Sequence, residues 1–99
     1  MQEPLEVLKA RLNTETAKIG WEEIQRFFAK GQVFIVANEL DLIETAAKII
    51  QDEKGSVERW LEQGLILQAT TEDAKRWNRS DPDLWAVVVA PWILVQEAA

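Results

Sequence analysis

Glu39, Asp41 and Glu44 are the side chains of this 99-residue sequence best suited to chemistry. They follow an apolar run, Val33 to Ala37, and the carboxyl end of such a strand is where α/β proteins commonly place ligands. Grouped carboxylates hold hard divalent cations, magnesium or manganese, with water filling the remaining positions. Lys48 lies nearby in sequence to neutralise an anionic ligand. A purely local role competes with that reading. On a helix, positions 41 and 44 are neighbours while 39 lies well around the circumference, and acids in a first turn answer the macrodipole for about 0.3–1 kcal/mol each. The local role carries more weight, so no cofactor is expected beyond that magnesium or manganese option.

Composition removes most other catalytic chemistry. The sequence has no histidine, cysteine or tyrosine. A Ser-His or Cys-His pair, a Cys/His zinc site and a histidine proton shuttle are therefore ruled out. Glycines at 20, 31, 55 and 64 are too dispersed for a phosphate-binding loop. Net charge is −6, and the basic residues are scattered singly among acids apart from Lys75, Arg76 and Arg79 on one helical stretch. That distribution disfavours a nucleic-acid partner. Arg26 and Arg59 could clamp an anion, but neighbouring acids at helical spacing give them simpler partners.

Five tryptophans supply the other candidates. Trp21, Trp60 and Trp77 fall on apolar helix faces and read as core. Trp85 and Trp92 bracket Pro91 in the last apolar stretch, where strand alternation can turn one of them outward. Trp85, Pro91 and Trp92 are therefore the candidate interface, with the Pro91-containing strand as an exposed sheet edge open to pairing.

The elements that would position these groups are punctuated clearly. Pro4 suits the first turn of a helix carrying Leu5, Leu8 and Leu12. Gly20 opens a second helix with Trp21, Ile24, Phe27 and Phe28 on one face, and Gly31 ends it. Val33 to Ala37 reads as a strand buried on both faces. Asn38 is read as the cap of a third helix with Asp41 at N3, closed by Lys54-Gly55. Ser56 caps a fourth helix with Val57, Trp60 and Leu61 inward, and Gly64 stops it before a second strand, Leu65 to Ala69. Thr70 or Thr71 caps a fifth helix carrying Ala74 and Trp77. Ser80 to Asp83 is a loop. Leu84 to Ala90 and Trp92 to Gln96 are extended, with Pro91 requiring an edge, a bulge or a bend. A shift of 33 positions lays Ile24–Glu39 on Val57–Glu72, matching Arg26 with Arg59, Gly31 with Gly64 and Glu39 with Glu72, so the two strands are expected to enter the sheet from similarly docked helices.

Several segments together resemble one family: Ala10-Arg11-Leu12-Asn13, Trp21-Glu22-Glu23, Phe27-Phe28-Ala29-Lys30-Gly31, Glu39-Leu40-Asp41-Leu42, Trp60-Leu61 and the terminal LWAVVVAPWILVQ. They are similar to short bacterial proteins grouped as domain of unknown function 2288, from about residue 8 to residue 96. The resemblance implies a bacterial single-domain protein and transfers no catalytic residue.

The expected fold is α+β, one domain over residues 1–99, with a three-stranded sheet, an optional C-terminal hairpin strand and about five helices. Met1 to Pro4 does not read as a secretion signal, and the apolar run from Leu84 to Val95 falls short of the roughly 20 residues that span a bilayer. A cytoplasmic protein without a membrane partner follows as the expectation. The favoured function is a non-catalytic interaction or regulatory module acting on a protein partner or as a homodimer. The alternative is a small divalent-metal-dependent enzyme or ligand sensor using Glu39, Asp41 and Glu44.

Overall fold

The computed structural model describes residues 4–97. Among the described residues five helices surround one mixed sheet of five strands in the order β1-β4-β5-β2-β3. Helix α1 (Leu5–Glu15) leads into β1 (Ala17–Ile19), α2 (Trp21–Ala29) and β2 (Val33–Val36). Then come α3 (Leu42–Ile50), α4 (Lys54–Glu62), β3 (Ile66–Gln68), α5 (Thr71–Ser80), β4 (Leu84–Val89) and β5 (Trp92–Glu97). Among the described residues no helix is long and apolar enough to cross a membrane.

The α+β class and the five helices match the sequence reading, but the sheet has more strands than the expected three plus a hairpin. The additional strand is β1, three residues that pair antiparallel with β4 through Ala17↔Ala86, Lys18↔Trp85 and Ile19↔Leu84. A segment that short carries no detectable alternation. The C-terminal apolar stretch resolves its proline problem by a bend: the chain reverses at the cis Ala90–Pro91 peptide, and β4 and β5 pair antiparallel. As a result β5 is not an edge. It lies between β4 and β2, parallel to β2 in the register Val33↔Ile93, Phe34↔Leu94 and Ile35↔Val95. The edges are β1 and β3.

Strand alternation divides the core in two. On one face Val36, Val87, Val89 and Leu94 pack with Leu8 and Leu12 of α1 and Leu42, Ala46 and Ala47 of α3. On the other, Val33, Leu84, Ala86, Ile93 and Val95 pack with Ile24 of α2 and Trp77 of α5. Coverage on both sides explains the continuous apolar run of β2. In α1 only Leu8 and Leu12 are buried; Leu5 is exposed, and Pro4 stands one position earlier than expected, at the N-cap.

Helix boundaries are set by local hydrogen bonds. Asp41, not Asn38, caps α3: its Oδ1 accepts the Glu44 N–H at 2.9 Å. Residues 38–40 form a turn instead, with Leu40 N–H donating to Ala37 O, and Gln96 Nε2 donates to both Ala37 O and Leu40 O. Lys54-Gly55 does not close α3. Asp52 does so with a left-handed φ of 58°, and α4 starts at Lys54, placing Gly55 and Ser56 inside it. Of the two threonines expected to cap α5, Thr70 is the N-cap, with a full capping box: Asp73 N–H donates to Thr70 Oγ1, and Thr70 N–H donates to Asp73 Oδ2.

The 33-residue repeat is visible in how α2 and α4 end. Gly31 and Gly64 take φ of 70° and 72°, the left-handed geometry glycine adopts without Cβ strain. Each helix closes through equivalent bonds, Gln32 N–H to Phe27 O and Leu65 N–H to Trp60 O. The docking differs. Helix α2 packs on the Trp77 face, whereas α4 lies over Ile66 and Phe34 on the α3 face, because the register Val36↔Ile66 puts Ile66 on the face of Phe34, opposite to its repeat counterpart Val33.

The carboxyl end of β5 is tied to α5 by a charged cluster. Glu97 Oε1 accepts the Trp77 indole N–H at 3.0 Å and pairs with Arg76, whose other arm reaches Asp73 Oδ1 at 3.2 Å. Burial pushes the Glu97 carboxyl up, but the Trp77 and Arg76 hydrogen bonds and the Arg76 charge outweigh it, leaving the group below its ordinary 4.5. Burial likewise raises Asp73, and the Thr70 bonds and Arg76 bring it below 3.8. Both carboxylates titrate lower in the folded chain than in the unfolded one, so the unfolded state binds more protons in acid. Their contribution is complete above the ordinary carboxyl values and is lost as pH falls through the lowered ones. Glu97→Gln keeps an acceptor for Trp77 but removes the charge facing Arg76. Its melting temperature is expected to fall less steeply than the wild type's on acidification from about pH 5 to about pH 3; parallel profiles in thermal melts would refute the coupling.

Candidate functional site

An apolar cavity of about 330 Å³ lies between the sheet and α4. Phe34, Val89, Leu94 and Ile66 form its floor, because these positions share the face that β2, β4, β5 and β3 turn toward α3. Ile49 of α3 closes one side. Val57 and Leu61, one turn apart on α4, form the roof.

The cavity exists because α4 is lightly anchored. It has no side-chain N-cap bond and no fully buried residue, and Leu61 remains 46% exposed. An apolar helix face normally stabilises itself by burial, so a helix that leaves its apolar residues half-covered leaves room beneath. Trp92 stands at the mouth, 41% exposed, beside the exposed Pro91. The rim carries Asp52, Glu53 and Glu58 together with Lys54, whose Nζ is 3.9 Å from Asp52 Oδ2. Volume and lining fit the lower end of the range of about 300–1,000 Å³ in which proteins hold small ligands.

The structure separates the candidate interface residues. Pro91 and Trp92 stand together at the hairpin end of the sheet. Trp85 lies on the same sheet face near the opposite end, 39% exposed, with the Lys18 ammonium 5.0 Å from its ring centroid. There it lines a second, shallower depression with Thr16, Asn38, Glu39, Asp41 and Gln96.

That depression brings Glu39 and Asp41 near each other, but Glu44 is not part of it. The Asp41 carboxylate is engaged at the start of α3, accepting from the Glu44 backbone. Among the described residues no three acidic side chains are grouped to hold a metal ion, so Glu39, Asp41 and Glu44 do not form a common coordinating set. Trp77 is fully buried, while Trp21 and Trp60 are half-buried; Trp21 packs edge-on against Phe28, with ring centroids 5.6 Å apart.

The lining of the cavity was missed as a set by sequence reasoning. Phe34, Ile66, Val89 and Leu94 each read as ordinary strand core. One signal did exist: α4 is short, contains Gly55 and Ser56, and still presents apolar residues at 57, 60 and 61, a combination that predicts weak seating.

A mixed five-stranded sheet with helices on both faces and an open apolar cavity under one of them defines a small α+β protein. The chain belongs to the family described as Protein of unknown function (DUF2288), whose model matches residues 7–97, so the resemblance read from the sequence holds. It is similar to the protein of the NMR solution structure of PA1075 from Pseudomonas aeruginosa. The two are 43% identical, the match covers 100% of this chain and 92% of that one, and the TM-score is 0.80. No curated protein matches the chain.

Proposed function

We propose that this chain is a non-catalytic interaction module of a bacterial cytoplasm, binding a protein partner at the cavity between α4 and the sheet. The observation that carries the reading is Trp92, left 41% exposed at the mouth of an apolar cavity. A large aromatic beside an open apolar pocket is the arrangement on which interface hot spots are built. The absence of histidine and cysteine from the sequence also favours binding over acid-base or nucleophilic chemistry.

Affinity capture of the tagged chain from a host that encodes it tests the reading. The wild type is expected to retain one stoichiometric protein, and Trp92→Ala to lose it. Because Trp92 is only partly buried, that variant should sacrifice no more than about 1–2 kcal/mol of stability. A partner retained equally by wild type and Trp92→Ala places the contact elsewhere and defeats the proposal.

A further inference from the structure

We infer that the occupant of the cavity is a lysine- or arginine-bearing segment of another protein, seated by one bulky apolar side chain with its cations against the rim. This rests on the interaction reading above and gives the partner its chemistry. The floor and roof are apolar, with Phe34, Ile66 and Leu94 facing Val57 and Leu61, so the group that enters must be apolar. The rim has the opposite character. Asp52, Glu53 and Glu58 stand there against the single Lys54, which already lies beside Asp52, and the whole chain carries −6. An apolar centre inside an acidic rim is complementary to an apolar anchor flanked by cations.

The same charges disfavour other occupants. A second copy docked symmetrically across this mouth would bring two acidic rims together, and juxtaposed like charges oppose association. A fatty acid would set its carboxylate against the same acids. Helix α4 contributes no fully buried residue, so a segment seated beneath it displaces no fully buried side chain of that helix. An amphipathic helix laid in an apolar groove is a recurrent mode of recognition.

Three synthetic peptides test the assignment by NMR titration of the isotopically labelled full chain. The first repeats leucine at i, i+3, i+4 and i+7 with lysines between. The second replaces every lysine by glutamate, and the third replaces every leucine by serine. The expected result is saturable shifting of the Val57 and Leu61 amides and the Trp92 indole by the first peptide. The other two should bind at least about tenfold more weakly. Glu58→Lys should weaken the first peptide several-fold while leaving the spectrum folded, and Leu61→Asp should do so more strongly.

Equal binding of the lysine and glutamate peptides overturns the inference. So do shifts centred on the α2 acids Glu22 and Glu23, which would mark unspecific attraction of cations. Tighter saturation of the cavity resonances by decanoate alone, or a dimer that dissociates in Trp92→Ala, overturns it in favour of a lipid or a second copy. If the peptides fail while Trp92→Ala still loses its captured partner, the basic occupant is wrong and the interaction module stands. If the captured partner is also indifferent to Trp92, both fall.

Discussion

Trp77→Ala is expected to destabilise the fold by about 3–5 kcal/mol, the range for deleting a fully buried large aromatic. Trp77 is 0% exposed and packs among Ile24, Val33, Leu84 and Val95, with the Trp21 ring centroid 5.8 Å away. Truncation opens a cavity under α2 and α5 together, since both helices meet the sheet there. It also leaves Glu97 without the indole N–H that holds one of its oxygens. For a chain of this size, with total stability of about 5–15 kcal/mol, the loss removes about a fifth of the margin at the least and nearly all of it at the most. Chemical denaturation should show the midpoint falling without a change in slope. Trp77→Phe should recover part of the packing and none of the hydrogen bond, placing it between the two. A change below about 1 kcal/mol in Trp77→Ala would contradict the complete burial of this ring.

Leu12→Ala comes second, at about 2–5 kcal/mol. Helix α1 has no side-chain cap and only two buried residues, Leu8 and Leu12, so half of its anchorage to α3 and the sheet depends on this one side chain. The damage should extend beyond the helix. Thr16 follows α1 directly, and both its N–H and its hydroxyl donate to Leu12 O; β1 begins at the next residue. Hydrogen exchange on Leu12→Ala is therefore expected to accelerate at Lys18 and Ile19 as well as through α1, while the central pair β2 and β5 stays protected to the global limit. Uniform acceleration across all strands would show that α1 and β1 do not form a separable unit.

The parts of this fold legible in the sequence are those fixed by local chemistry. Thr70 with Asp73 three residues on is a capping box and marks the start of α5. Gly31 and Gly64 sit where the chain needs left-handed geometry, and both helices end there. Boundaries were misplaced where two neighbouring residues could fill one role. Asp52 takes the left-handed position expected of Gly55, and Asp41 takes the cap expected of Asn38. Ala17–Ile19 becomes a strand only because β4 offers it a partner, a tertiary cause that no window of sequence contains. The candidate site was less visible still. Trp92 stood out by type, but Phe34, Ile66 and Leu94 acquire a shared role only when three strands align them beneath a helix that does not settle onto them.

The place of β5 between β4 and β2 also orders events in time. β4 and β5 are joined by a tight turn and can pair early, whereas joining β5 to β2 closes most of the chain into a loop; the bond from Gln96 to Ala37 spans 59 positions. Contacts of such long range slow folding, because chain entropy must be surrendered before they form. During synthesis Val33–Val36 emerges well before the hairpin that will flank it, leaving the most apolar strand of the sheet with an open side. The nascent chain therefore passes through a stage in which its own future centre is an adhesive edge, and its vulnerability to aggregation ends when the hairpin slots in beside β2.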